Sequence, residues 1–168
     1  MSTPRTEALP THGIPNAAND LLIGAHRPAP ELVCPAGSLP ALKAAVDAGA
    51  NCVYLGLRDA TNARNFAGLN FDEAAILKGI DYAHARNCKV LLALNTYPKA
   101  SAPEPWHAAL DRAAMWGVDA VILADPGLMR YACNRHPDLR LHLSVQGSAT
   151  NHAAINLYQK QFNIQRAV

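Results

Sequence analysis

Short apolar runs alternate with amphipathic stretches from Glu31 onward, and a Gly, Pro, Asn or Asp marks each junction. The apolar runs have the length of buried strands, whereas the amphipathic stretches repeat apolar residues every three to four positions, as one face of a helix does. The pattern predicts five strands alternating with five helices, followed by the opening of a sixth strand. The predicted strands cover residues 31–34, 52–55, 90–94, 120–123 and 139–145, and the sixth begins at residue 166.

Capping residues mark where the predicted helices begin. Ser38 precedes the first helix, and Asp125, followed directly by a proline, precedes the fourth. Asn70 and Glu73 have the spacing of a capping box, which predicts that the second helix opens at Asn70. The fifth helix is predicted over residues 151–162, with Ile155, Tyr158 and Phe162 aligned on one face.

Two segments, residues 48–55 and 116–123, repeat the same order of a helix end, a glycine, a turn and a buried strand. Such β-α repetition favours a parallel sheet, and right-handed crossovers leave a (β/α)₈ barrel or a doubly wound sheet. No G-x-G-x-x-G follows the first strand, which counts against a dinucleotide-binding domain. We therefore favour an α/β fold of the TIM barrel type.

A complete barrel needs eight β-α units and about 250 residues. The pattern therefore predicts an incomplete barrel, with residues 30–168 as its N-terminal part and edge strands that favour self-association. Residues 1–29 hold several prolines and no sustained periodicity, and are predicted to be a flexible N-terminal extension.

Composition narrows the class of protein. Half of the residues are apolar, 17% are charged and the net charge is +2, which excludes a disordered chain and makes nucleic acid an unexpected partner. No apolar run approaches the roughly 18 residues of a membrane span, and no signal peptide pattern is present, so we expect a cytoplasmic protein. The four cysteines are widely spaced, which indicates neither a disulfide framework nor a zinc site.

Candidate site residues follow from the barrel rule that the carboxyl ends of the strands and the loops after them form the mouth. The period of two on the fifth strand places His142, Ser144 and Gln146 together on the face predicted to point inward. Candidate substrate-binding residues at the mouth are Tyr54, Arg58, Asn62, Arg64, Asn95, Thr96, Asp125, Ser144 and Gln146.

Several of these residues also have a purely structural interpretation. Asp125 is placed to cap a helix, and Asn95 with Thr96 can simply end a strand. Arg58 and Arg64 are either a solvated surface or a clamp for an anion such as a carboxylate or phosphate. Catalytic residues stay unassigned, because the sequence has no H-E-x-x-H, no G-x-S-x-G and no metal-ligand spacing.

The residue sequences of several motifs resemble those of a known protein family. Residues 31–37, 42–45 and 49–56 resemble the opening of the collagenase-like peptidase family, number thirty-two among peptidases of unknown catalytic type. Residues 61–71, 122–125 and 144–151 narrow the resemblance to the branch represented by the ubiquinone-biosynthesis protein UbiU. The resemblance runs from Glu31 to the last residue, about four-fifths of the chain.

The resemblance implies oxygen-independent ring hydroxylation of a quinone precursor in ubiquinone (coenzyme Q) biosynthesis, performed as a heterodimer with a UbiV-like protein. It also implies a 4Fe-4S cluster in full-length relatives, whose cysteine ligands match none of Cys34, Cys52, Cys88 and Cys133. We therefore expect this chain to hold no cofactor or metal and to be inactive alone. The alternative is a peptidase-like or RNA-base-hydroxylating member of the same family.

Overall fold

The computed structural model describes residues 29–168, in which six parallel strands alternate with five helices. Each strand pairs with the next one in sequence, so the order across the sheet is β1 to β6. This confirms the predicted parallel (β/α) architecture of an incomplete TIM-type barrel; the predicted extension, residues 1–29, lies outside the described residues except for its last position. The strands are β1 (Val33–Pro35), β2 (Cys52–Gly56), β3 (Lys89–Leu94), β4 (Ala120–Leu123), β5 (Leu141–Leu143) and β6 (Arg166–Ala167), and the helices are α1 (Leu39–Asp47), α2 (Glu73–His84), α3 (Glu104–Trp116), α4 (Pro126–Arg135) and α5 (His152–Phe162).

The two faces of the sheet have different partners. Alternate residues of the central strands, such as Val53, Leu92 and Leu123, are fully buried in the main core beneath the helices. The other face carries a smaller apolar cluster of Cys52, Leu91, Ala120 and Ile122, with Tyr54 at its border. The register pairs Tyr54 with Leu91 and Leu91 with Ala120, so the inner face presents continuous rows of side chains.

Apolar stripes hold α2 and α3 against the sheet as the spacing predicts, with Ile80 and Leu110 among the buried residues. The predicted stripe of α5 is only half-buried. Within residues 29–168, none of the helices is both long and apolar enough to pass through a membrane.

The predicted start of α2 is wrong by two residues. Asp72 caps this helix, because its Oδ1 accepts the Ala75 N–H at 2.9 Å. Asn70 instead has a left-handed backbone (φ 73°), and its Nδ2 donates to the Arg64 carbonyl at 2.8 Å. Capping spacing alone did not distinguish the two, since asparagine suits both a cap and a left-handed turn. The predicted caps at Ser38 and Asp125 are confirmed, and Asn151, the first residue of the predicted fifth helix, caps α5.

The fifth strand is shorter than predicted. It ends at Leu143, because Ser144 caps a 3₁₀ turn over Val145–Gly147, and Ser148 then adopts a left-handed backbone. Leu141 and Leu143 face the main core, whereas His142 and Ser144 are buried on the inner side. The turn carries Val145 out of the strand pattern, and its side chain is exposed.

Candidate functional site

A cleft of about 410 Å³ lies on the inner face, toward the carboxyl ends of the strands. Leu91, Ala93 and Ile122 from the two central strands give it an apolar floor. Strand β1 and the stretch after β5 supply its sides. The polar side chains that line it are Tyr54, Arg64, Asn95, Ser144, Gln146 and Arg166.

Arg64 stands between this cleft and a smaller cavity of about 190 Å³ formed beside the β2–α2 loop. Its Nη1 donates to the Tyr54 hydroxyl oxygen at 3.2 Å. Tyr54, Arg64, Ala93 and Asn95 line both cavities. The Arg64–Tyr54 pair therefore forms part of the wall that divides the two spaces.

The β2–α2 loop is fixed by the buried side chain of Asn62. Its Nδ2 donates to the Leu57 carbonyl at 3.2 Å, and its Oδ1 accepts the Arg64 N–H at 3.1 Å. Both arms of the amide are thus used to shape the loop. Asn62 lines the smaller cavity, and its hydrogen bonds determine where Arg64 emerges.

Asn95 ties the end of β3 to the same loop, because its Oδ1 accepts the Ala63 N–H at 3.0 Å. Its Nδ2 forms no hydrogen bond within residues 29–168, and the residue lines both cavities. Thr96 has a structural role: its hydroxyl donates to the Ala60 carbonyl at 2.7 Å and accepts from Trp106 Nε1 at 2.9 Å.

Ser144 and Gln146 lie on the opposite wall of the cleft. The buried Ser144 Oγ accepts the Gln146 N–H at 3.2 Å. Tyr97, which the sequence reasoning missed, donates its hydroxyl to the Gln146 carbonyl at 2.8 Å and joins the β3–α3 loop to this turn. Partial burial raises the pKa of Tyr97 above its ordinary value, so the hydroxyl stays a donor at neutral pH.

Three predicted mouth residues, Arg58, Thr96 and Asp125, line neither cavity. The Arg58 guanidinium donates to the carbonyls of Leu69 (3.4 Å) and Asn70 (3.1 Å), which closes the base of the β2–α2 loop. Asp125 Oδ1 accepts the Leu128 N–H at 2.8 Å and caps α4. An anion clamp that uses both Arg58 and Arg64 is therefore absent from this arrangement.

The cysteines do not fit an iron–sulfur cluster, which needs convergent thiolates. Burial raises the pKa of Cys52 to about 12, and Cys133, which lies on α4, donates its Sγ–H to the Phe162 carbonyl at 3.4 Å. Across the described residues, no three His, Cys, Asp or Glu side chains are placed to hold a metal ion.

The chemistry that the cleft does support is recognition of a flat ring. Its apolar floor can contact a ring face, while Arg64 and Asn95 supply N–H donors for oxygen atoms at the ring edge. A serine peptidase arrangement is not formed by the described residues, because Ser144 has no histidine beside it in the cleft.

The sequence and the fold were compared with those of known proteins. The family model for Peptidase family U32 matches residues 37–168. The tRNA hydroxylation protein P of Helicobacter pylori strain 26695 is 39% identical over 121 residues, 72% of this chain and 28% of that protein. An uncharacterized protease of Methanocaldococcus jannaschii, MJ0090, is 39% identical over 77% of this chain and 31% of its own length.

The tRNA hydroxylation protein P of Escherichia coli K12 is 33% identical over 83% of this chain and 30% of its own length. The chain thus spans about 30% of the length of the curated relatives it matches. Among solved structures, the U32 peptidase Mk0906 superposes with a TM-score of 0.64 at 15% identity, over 79% of this chain and 55% of that one. This last likeness concerns the fold alone.

Proposed function

The chain belongs to peptidase family U32, and on that premise we propose that its cleft binds the ring of a substrate that is hydroxylated. The observation that carries the proposal is the apolar floor of Leu91, Ala93 and Ile122 beneath the donors Arg64 and Asn95. Such a cleft suits a planar ring with oxygen substituents better than an extended peptide, which is usually held by main-chain hydrogen bonds along an exposed strand.

The first candidate substrate is a quinone precursor, hydroxylated without molecular oxygen in ubiquinone biosynthesis. The residue sequences of segments 61–71 and 144–151 support this candidate, because they resemble those of UbiU. Those two segments contribute Arg64, Ser144 and Gln146 to the cleft. In this proposal the partner is a UbiV-like protein, and the 4Fe-4S cluster of the family is held by cysteines other than the four present here.

The second candidate substrate is a base in tRNA. It is favoured by the printed names of relatives that are 33–39% identical to this chain. Besides a base oxygen, the several N–H donors of the Arg64 guanidinium can also contact a phosphate oxygen beside a bound base. A net charge of +2 supplies little further attraction for a nucleic acid.

The roles of the chain's own residues are the same for both substrates. Arg64 and Asn95 donate hydrogen bonds to ring oxygens and orient the ring, while Leu91 and Ile122 exclude water from its face. Tyr54 holds the Arg64 guanidinium at the wall of the cleft. No residue is assigned a role in the chemical step.

A binding experiment separates the candidates. Isoleucine methyl NMR signals of the chain would be followed during titration with a short prenylated phenol and, separately, with unmodified tRNA. We expect a saturable shift of the Ile122 signal with the phenol, weakened at least tenfold in Arg64→Gln, because Gln cannot provide a charged fork of donors. Arg86→Gln, an exposed arginine on the outer helix layer, is the matched control and should bind normally.

A saturable Ile122 shift with tRNA and none with the phenol would establish the second candidate over the first. If neither ligand perturbs Ile122, or if Arg64→Gln and Arg86→Gln weaken binding equally, the cleft is not the ring-binding site.

A further inference from the structure

A second cavity, of about 40 Å³, lies at the amino-terminal ends of the strands, at the other end of the sheet from the cleft mouth. Residues close to the starts of all six strands surround it, and most of them carry charge. The cations are Lys89, Arg140 and Arg166, and the carboxylates are Glu31 and Asp119.

Both carboxylates already have partners. Asp119 Oδ2 accepts the Val90 N–H at 2.7 Å and lies 2.9 Å from His84 Nε2. Glu31 forms an ion pair with Arg166. Lys89 and Arg140 are in no ion pair within residues 29–168. The cavity is therefore flanked by two cations whose charge the described carboxylates do not neutralise directly.

The buried side chain of His142 is a second, independent observation that points to a ligand in this cavity. Its side chain is buried, with 7% of the residue exposed, and its Nδ1 has no hydrogen-bond partner among the described residues. Buried polar atoms in folded proteins are almost always paired, with protein, water or a ligand. Burial, and then the charge of Arg166, lower the pKa of His142 to about 4, so the ring is neutral at pH 7 and one nitrogen still carries a proton to donate.

We propose that this cavity binds a small anion of the size of chloride or formate, held by Lys89, Arg140 and the imidazole of His142. A single water needs about 10–15 Å³ of such space, so 40 Å³ admits only a few heavy atoms. The size excludes a nucleotide or a ring substrate. The cavity shares Leu91 and Arg166 with the cleft, but the three groups proposed to hold the anion do not line the cleft, so this proposal does not rest on the proposed function.

The test follows the histidine ring signals of ¹⁵N-labelled chain during titration with sodium chloride and with sodium formate. Sodium gluconate, whose anion is too large for the cavity, keeps the ionic strength constant. We expect a saturable shift of one ring, identified as His142 by its loss in His142→Gln. Lys89→Gln and Arg140→Gln should each weaken binding at least fivefold.

Arg135→Gln is the matched control, because it removes an exposed positive charge at the same end of the sheet from a residue that lines a different cavity. It should bind the anion within twofold of the unmodified chain. A bound anion favours the imidazolium form, so saturation with the anion should raise the pKa of His142. Conversely, protonation of His142 should lower the dissociation constant of the anion, by the same factor by which the anion lowers the acid dissociation constant of His142.

Three results would overturn the proposal. One is a shift that grows linearly with salt and is shared by the other histidines. Another is equal weakening in Arg135→Gln and Lys89→Gln, which would indicate general screening. The third is binding in which Lys89→Gln and Arg140→Gln have no effect.

Discussion

The contact between Gly56 and Asn62 shows how one missing side chain shapes the site. A Cβ at residue 56 would lie 2.2 Å from Asn62 Nδ2, far inside van der Waals contact. The Asn62 amide can therefore reach the Leu57 carbonyl and the Arg64 N–H only because residue 56 is glycine. The position of Arg64 at the cleft depends on this close packing.

We predict that Gly56→Ala will destabilise the fold by about 1–3 kcal/mol, as overpacking of a filled site does. It should also weaken ring binding, because Asn62 must move and release Arg64. Denaturant unfolding and the Ile122 titration measure the two effects. Gly37→Ala is the control, since its Cβ would meet Leu69 at an ordinary 3.6 Å; unchanged stability and binding in Gly56→Ala would contradict the argument.

The buried His142 predicts a pH dependence of stability. Its pKa is about 4 in the folded chain and near its ordinary 6.5 when unfolded, so between these values the unfolded chain binds the extra proton. Stability should therefore fall as the pH drops from about 6.5 toward 4, and should be level above about 6.5 as far as this group is concerned.

The measurement is the free energy of unfolding between pH 4 and 7.5, for the unmodified chain and for His142→Gln. The variant should lose less stability over this range, since glutamine does not titrate. Asp111, whose pKa is lowered below 3.8 by its hydrogen bond to His136, loses its contribution only under more acidic conditions. Equal slopes for the two proteins would show that His142 is not neutral and buried.

At the scale of elements, Asp125 tests whether a residue at a strand end serves the site or the helix. Asp125→Ala should cost about 1 kcal/mol of stability, because the first turn of α4 loses its cap. Asp125→Asn should be nearly neutral, since asparagine caps equally well. Both variants should bind the ring with the affinity of the unmodified chain. Weaker ring binding by Asp125→Asn, with unchanged stability, would show that the Asp125 carboxylate takes part in binding.

The sequence predicts the strands and helices well because burial on one face imposes a period that is visible in the residues. The predicted bounds of β4 match the structure. The predicted β5 is too long, because the alternation of apolar and polar residues does not reveal the 3₁₀ turn that Ser144 caps. The strand-end rule also points to Arg64, Asn95 and Gln146, which the fold brings to one cleft.

The same rule cannot say where a side chain points within a loop. Arg58 and Arg64 look equivalent in the sequence. In the structure, however, the Arg58 guanidinium donates hydrogen bonds to two backbone carbonyls that lie near it only because of the fold of the loop. Tyr97 was missed for a related reason. Its hydrogen bond reaches Gln146, 49 residues away, and nothing local marks that contact.

At the scale of the whole chain, the cysteines predict the outcome of cluster reconstitution. Anaerobic incubation of the chain with iron and sulfide should give no stable four-iron absorption band, because Cys52 is a buried thiol with a pKa of about 12 and the Cys133 thiol, on α4, is hydrogen-bonded to the Phe162 carbonyl. A full-length relative treated identically is the positive control. A band that disappears in Cys52→Ala would show that these cysteines do converge.

The pairing of each strand with the next one in sequence affects how the chain can fold during its synthesis. Each strand pairs with the strand synthesised just before it, so every β-α-β unit can dock as soon as it leaves the ribosome, without waiting for distant sequence. The ion pair of Glu31 with Arg166 is different, because it joins residues 135 positions apart. It can form only after β6 emerges, so the charged cavity at the amino-terminal end is completed last, on a sheet whose earlier strands are already in place.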